Sequence, residues 1–344
     1  MSTYFPKQIL KDADLASRFG TPPLQGKTIA ILGYGNQGRP QALNLRDSGL
    51  TVIVGTRNCT GETARQAIDD GFNCYSFSEA SSKADVIMML LPDEAMAGVF
   101  QRDVLPVLTP DKEKTACKAI GFAHGLVVHE QLIQFPDGVD VFLLAPKGQG
   151  KGVRNKFISG SGVPGLYAVS QNASGDAESI ALAYGQAIGC GRTGLIETTF
   201  EEETVCDLFS EQVVLCGGLT QLITKAFETL VEAGYAPEVA YFECLYEVKL
   251  VADLIHDRGI TGMREGISST ALYGDISQGE SVIDGHVKET MRRTLNNITS
   301  GGFNRQLQSE FATGKPEIRE AMARASAHPI EQVHRQLLSL KGFK

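Results

Sequence analysis

"KTIAILGYGNQGRPQALNLRDSGLTVIVGT", residues 27–56, decides the architecture of the first half of this chain. An apolar run (27–32) leads directly into glycines at 33, 35 and 38, then into a stretch with helical spacing that stops at Gly49, and a second apolar run follows at 51–56. Glycine is abundant here, 37 of 344 residues, so three glycines alone carry little weight. The strand before them and the helix after them carry much more. A strand, glycine turn, helix and second strand in this order form the unit that seats the pyrophosphate of a dinucleotide. The glycines permit the tight turn, the close approach of backbone to phosphate, and tight helix packing. Gly33, Tyr34, Gly35, Asn36, Gln37 and Gly38 are therefore the candidate cofactor seat.

Outward from that unit, the runs 84–91, 116–122, 139–145 and 163–170 are near-continuously apolar, as strands covered on both faces are. Amphipathic segments closed by glycine, such as "GETARQAIDDG" (61–71), lie between strands. The alternation predicts a doubly wound parallel sheet of Rossmann type. From about residue 176 the texture changes to long helical stretches, notably 201–234 and 236–259. The expected organisation is a dinucleotide-binding domain over 1–185, an all-helical domain over 186–335 and a short tail over 336–344.

Composition narrows the function. With 42% hydrophobic and 21% charged residues the chain reads as soluble and globular. A net charge of −8 without a lysine or arginine run gives nucleic acid or an anionic membrane no footprint. The N-terminal stretch "MSTYFPKQILKDADL" lacks the apolar core of a signal peptide, and "VIMMLLP" (86–92) is too short to span a bilayer, so a cytoplasmic location is expected. Seven cysteines, an odd number with no CxxC pair, read as reduced structural thiols rather than a zinc site.

Two further features speak to chemistry. After the second strand, where an NAD site usually places an acidic residue for the ribose, the chain reads "GTRNCTGET" (55–63). Arg57, Thr60 and Thr63 favour a 2′-phosphate and hence NADPH, while Glu62 could approach the ribose in the opposite sense. In the helical half, Asp207 and Glu211, and again Glu243 and Glu247, stand four residues apart. On a regular helix each pair shares one side with apolar residues: Val214 and Leu222 in the first case, Leu250 and Leu254 in the second. Like charges held on a buried face call for a cation, and oxygen donors without histidine or thiolate suit Mg²⁺.

These residues also carry a family resemblance. "ETTFEEETVCDLFSEQVVLCGGLTQLI" (197–223), "VEAGYAPEVAYFECLYEVKLVADLI" (231–255), "FAHG" (122–125), "APKGQG" (145–150) and "ISSTALYGD" (267–275), together with the glycine turn, resemble ketol-acid reductoisomerase in its shorter bacterial class, from about residue 26 to 330. The resemblance implies a knotted helical domain and a homodimer with shared active sites. It implies a small-molecule substrate, a 2-hydroxy-2-alkyl-3-keto acid such as acetolactate, whose alkyl group shifts with the help of two Mg²⁺ ions before NADPH reduces the product. Asp207 and Glu211 match metal ligands of one chain, and Glu243 and Glu247 those of the partner. Ser268 matches the hydroxyl that holds the substrate carboxylate, and His124 and Lys147 match polar groups at the reaction centre, with Glu247 the candidate for proton transfer. The chain departs from the family pattern at Arg39-Pro40, at Gln149 and Lys151, and around the serine at Gly266, Ser269 and Leu272. These departures leave open a paralogue acting on another hydroxy-keto acid. "ADVIMMLLPDEAM" (84–96) also resembles metal-independent β-hydroxyacid dehydrogenases, and a non-enzymatic NADP-binding regulator would keep the glycine turn without the four carboxylates.

Overall fold

The computed structural model describes residues 6–18, 22–108 and 117–339. The first five residues, the start of the expected strand at 116 and the tail from 340 lie outside the described residues. The chain divides into two compact units, Met1–Thr204 and Val205–Lys344.

The first unit is built on a nine-stranded sheet. Its strands are β1 (Ile9–Leu10), β2 (Thr28–Leu32), β3 (Thr51–Thr56), β4 (Asn73–Ser76), β5 (Val86–Met89), β6 (Ala119–Phe122), β7 (Asp140–Pro146), β8 (Gly165–Gln171) and β9 (Leu195–Glu197). Across the sheet they run β4-β3-β2-β5-β6-β7-β8-β9-β1. The six strands from β4 to β7 are parallel. Every residue of β5, β6 and β7 is buried, because helices cover both faces, which explains their unbroken apolar sequences. Chain order reverses at β2, which lies between β3 and β5, and in open α/β sheets ligands bind outside the strand ends at such a switch point.

The sheet is not parallel throughout, in contrast to the expectation. After β7 the helix Gly150–Ile158 packs beside the helix Gly38–Asp47 instead of crossing the sheet. The chain re-enters next to the strand it has just left, with Gly165 opposite Pro146, so β8 is antiparallel to β7. The helix Ala177–Ala187 packs against β7 and β8, and the same sheet is completed by β9, parallel to β8, and β1, antiparallel to β9. The sheet-bearing unit consequently runs to Thr204, beyond the expected boundary at 185.

The second unit is helical throughout its described residues, and the helix Pro329–Leu338 extends into the expected tail. Its small core gathers Phe227, Ala240, Tyr241, Ile330, Val333 and Leu337. The two long segments read from sequence as continuous helices are interrupted. A π-helical turn at Glu211–Leu215 separates Phe200–Ser210 from Gly217–Glu232, and a second at Phe242–Tyr246 separates Pro237–Tyr241 from Glu247–Gly266. The last of these kinks at Gly259, whose φ is 70°. No helix among the described residues is long and apolar enough to cross a membrane.

Candidate functional site

The glycine turn sits at the switch point. Gly33 leaves β2 with φ +95°, and a Cβ there would stand 2.4 Å from the Leu90 carbonyl oxygen, so the position is closed to any side chain. A Cβ on Gly38 would meet the Gly33 oxygen at 2.0 Å, which lets the helix start directly against the turn. At Gly35 a Cβ would meet nothing within 4 Å. The turn therefore offers open space over exposed backbone at the start of a helix, the setting a pyrophosphate needs. Tyr34 points the other way: its ring is 3% exposed and its hydroxyl donates to Asp70 Oδ2 (2.8 Å), leaving its main chain to face the turn.

Arg39 and Pro40, the departures beside the turn, have a local explanation. Arg39 donates from Nε and Nη2 to the two oxygens of Asp70 (2.7 and 3.0 Å), the same carboxylate that holds Tyr34. That bidentate bond keeps the Asp70 carboxyl below its ordinary range. Burial, and then Asp70, push the Tyr34 phenol up. Pro40 falls in the first turn of the helix, where an N–H has no intrahelical partner to lose.

Beyond β3, the exposed Arg57 lines a cleft of about 660 Å³ together with Thr56, Ser76, Phe77 and Arg102. Thr60 donates its hydroxyl to Asn58 Oδ1 (2.8 Å), and Thr63 lies exposed in the first turn of the helix Glu62–Asp69.

The structure brings His124 and Lys147 together through a residue the sequence reading missed. Glu203, on the first turn of the helix Phe200–Ser210, is 1% exposed. Its Oε1 accepts from Lys147 Nζ (2.8 Å), its Oε2 accepts from the Gly125 amide (2.8 Å), and His124 Nδ1 stands 3.2 Å from Oε2. Burial pushes the Glu203 carboxyl up. The neighbouring His124 and then Lys147 outweigh burial and hold the group below its ordinary range. Gly125 must be glycine because a Cβ would stand 2.5 Å from Thr204 Oγ1 and 2.7 Å from the Phe200 oxygen. That contact seats the head of the helix against the "FAHG" turn. "EEE" at 201–203 reads as a solvated acidic first turn, and only the third glutamate faces inward.

Asp207 follows Glu203 by four residues on the same helix and is half-buried, while Glu211 opens the π-helical turn and is exposed. Glu243 lies inside the second π-helical turn and Glu247 directly after it, both exposed. Within one chain the carboxylates therefore do not lie on a buried face as the helical phase predicts. Of the apolar residues expected beside them, Val214, Leu222 and Leu250 are exposed as well, and Leu254 is half-buried. Ser268 caps the helix Ser269–Val282, its Oγ accepting from the Ala271 amide (3.1 Å), and it is exposed.

Comparisons with known proteins agree over both units. Residues 23–194 match the acetohydroxy acid isomeroreductase NADPH-binding domain, and residues 200–342 match the ketol-acid reductoisomerase C-terminal domain. The chain is 52% identical over 317 residues to the ketol-acid reductoisomerase (NADP(+)) of Pyrobaculum calidifontis, covering 92% of this chain and 94% of that one. It also matches the structure of an NADH-preferring ketol-acid reductoisomerase from an uncultured archean with a TM-score of 0.91 and 40% identity, covering 97% of this chain and 99% of that one. A semialdehyde dehydrogenase NAD-binding protein from Cupriavidus necator shares the fold alone, with a TM-score of 0.54 and 17% identity over 78% of this chain and all of that one.

Proposed function

This chain belongs to the ketol-acid reductoisomerase family, and from that premise we propose that it converts 2-hydroxy-2-alkyl-3-keto acids such as acetolactate into 2,3-dihydroxy acids, with NADPH and two Mg²⁺ ions. The observation that carries the reading is the buried Glu203 carboxylate, which holds the Lys147 ammonium and the His124 ring at the head of the helix bearing Asp207. The residues fit both groups. The open backbone at Gly35 accommodates a pyrophosphate over the amides of Gly33 to Gly38. Asp207, Glu211, Glu243 and Glu247 are hard oxygen donors of the kind Mg²⁺ takes.

Bound Mg²⁺ would polarise the carbonyl and acidify the neighbouring hydroxyl, and bound NADPH would supply the hydride. The protein's own groups do the rest. Asp207 and Glu211 would hold the ions from one chain. Glu243 and Glu247 would complete the shell from a second copy, and Glu247 would accept the hydroxyl proton at a carboxylate oxygen. Lys147, paired with Glu203 yet 32% exposed, presents N–H donors to the substrate oxygen that gains charge. His124, fixed through Nδ1, offers its other ring nitrogen. Ser268 uses its oxygen as a cap acceptor, and its hydroxyl hydrogen is left to donate to the substrate carboxylate.

A homodimer is supported by the apolar side chains the second unit exposes, among them Val214, Leu222, Leu250, Tyr273 and Ile276. Cofactor choice is a separate matter, because one relative is named for NADP(+) and another for preferring NADH. Arg57, exposed at the end of β3, favours the 2′-phosphate. The test is the oxidation of NADPH by purified protein with acetolactate, with and without Mg²⁺ and EDTA. Oxidation that needs both acetolactate and Mg²⁺ is expected, and chelator-insensitive oxidation sinks the metal assignment.

A further inference from the structure

Two fully buried polar side chains have no part in the chemistry above. Gln41, on the inner face of the helix Gly38–Asp47, and Tyr184, on the helix Ala177–Ala187, are both 0% exposed. They are joined in a chain of hydrogen bonds that runs in one direction. The Tyr184 hydroxyl donates to Gln41 Oε1 (2.8 Å), Gln41 Nε2 donates to Gln37 Oε1 (3.1 Å), and Gln37 Nε2 donates to the Gly148 carbonyl oxygen (3.0 Å). The Gly148 carbonyl at the outer end can only accept, so it fixes which way both amides face, and the residue it belongs to directly follows Lys147.

The neighbouring peptides of the same loop are pinned as well. The Lys147 amide donates to the Pro164 oxygen (2.8 Å) and the Gly148 amide to the Pro146 oxygen (3.0 Å). Two residues on, a Cβ at Gly150 would stand 1.6 Å from the Asn36 oxygen, so the loop and the glycine turn are in direct backbone contact. One helical turn further out, Arg154 donates to Asn44 Oδ1 (2.8 Å) and Asp47 Oδ2 (2.6 Å), tying together the two helices that follow these segments.

We propose that Tyr184, Gln41 and Gln37 form a positioning relay that locks the loop carrying Lys147 to the glycine turn, so that the ammonium and the cofactor seat hold one fixed separation. The proposal rests on the functional reading for what the separation serves, namely aligning Lys147 with the substrate oxygen while hydride is delivered. The coupling itself is a property of the fold. Tyr184 touches neither seat nor ammonium, Gln41 reaches the seat only at the side chain of Gln37, and both act on the loop through Gln37 and Gly148.

Hydrogen exchange on the full chain tests the coupling without activity. In Gln41→Met, which keeps the side-chain length and removes both hydrogen bonds, exchange across 147–153 should accelerate about tenfold, the equivalent of one lost hydrogen bond near 1.4 kcal/mol. Exchange across β8 (165–171) should be unchanged. Tyr184→Phe frees the Gln41 amide to turn and should give a smaller rise in the same segment. The double variant should match Gln41→Met alone, because links of one chain are not additive. With NADPH and acetolactate, kcat should fall about tenfold while the dissociation constant for NADPH stays within about twofold, since about 1.4 kcal/mol of alignment is lost and the seat is kept. Unchanged exchange at 147–153 in both variants, a uniform rise that includes β8, or additive effects in the double variant overturns the relay. If the wild-type chain does not oxidise NADPH with acetolactate, the functional reading fails, and the exchange comparison still decides the relay.

Discussion

Replacing Glu203 with Gln isolates what the buried carboxylate contributes. The substitution preserves shape and one acceptor oxygen while removing the charge and the second acceptor. The wild-type side chain accepts from the Gly125 amide on Oε2 and from Lys147 on Oε1, and His124 Nδ1 stands 3.2 Å from Oε2. In the variant the remaining oxygen should stay with the Gly125 amide, which is buried and backbone-fixed. The new –NH₂ then faces the Lys147 ammonium, donor against donor. A lost charged hydrogen bond at a buried site costs about 1.5–3 kcal/mol, and the 32% exposure of Lys147 lets water recover part of it, so about 2 kcal/mol is expected at pH 7.

The dependence on pH follows from the lowered pKa of Glu203. A carboxylate whose folded pKa lies below its unfolded value stabilises the fold fully above the unfolded value, about 4.3 for glutamate, and loses that contribution as pH falls through the folded value. The wild-type advantage should therefore be constant from pH 7 to about 5.5 and shrink below about 4.3 as the unfolded, then the folded, group protonates. Thermal unfolding of both proteins across pH 3.5–7.5 measures it, and about 2 kcal/mol corresponds to roughly 4–8 °C at neutral pH for a unit of this size. A gap that stays constant through the acid range, or no gap at pH 7, refutes the claim that the charge of Glu203 organises Lys147 and His124. In the activity assay the same variant should lose at least about tenfold in kcat, as about 1.4 kcal/mol of alignment is removed.

Three further outcomes are expected. Asp207→Asn should abolish Mg²⁺-dependent isomerisation while leaving the NADPH dissociation constant near wild type, by rapid quench and by NADPH fluorescence respectively, and Mg²⁺-dependent isomerisation at the wild-type rate would remove Asp207 from the metal shell. Wild-type kcat/KM should favour NADPH over NADH by about tenfold or more, and Arg57→Ala should erase most of that preference, since one charge-assisted contact to phosphate is worth about 1.5–3 kcal/mol. Equal use of the two cofactors by the wild-type chain would shift control of the pocket to Glu62. Co-expressed Asp207→Asn and Glu247→Gln chains should recover up to about half the wild-type activity per mixed dimer, because symmetry leaves one site with both ligand pairs intact; isolated mixed dimers as inactive as either parent would place both pairs in one chain.

What the sequence made legible follows from how strongly a local pattern is tied to its surroundings. β2, β3, β5, β6 and β7 could be read directly because both faces are covered, so each is apolar at nearly every position. β4, "NCYS", and the two- and three-residue strands β1 and β9 could not, since their residues are partly exposed or too few to show a period. The reversal of β8 was hidden for another reason. Its apolar run is the same whichever way it points, and direction is set by where the helix Gly150–Ile158 packs. Glu203 was illegible because two neighbouring glutamates share its composition and face water, and only the helix phase relative to Gly125 turns it inward.

The carboxylate pairs show the limit most clearly. A constant advance of 100° per residue is what places each pair on an apolar stripe, yet both pairs meet a π-helical turn, at Glu211–Leu215 and at Phe242–Tyr246. Each π turn takes more residues per revolution, so it shifts the phase of everything after it relative to everything before. That shift costs helix regularity, and such turns are frequent at functional sites. Gly217 and Gly218 follow the first one after Cys216, and a Cβ on either would stand 2.3 or 2.0 Å from the carbonyl oxygen five residues back. The glycine pair is thus the sequence signal for the wider turn, readable only once the five-residue spacing is considered. In the single chain Val214, Leu222 and Leu250 face outward with Glu211, Glu243 and Glu247, while Asp207 and Leu254 are half-buried. The proposed homodimer would account for both features together, since a second copy of this chain would bring apolar cover and the other half of an oxygen shell.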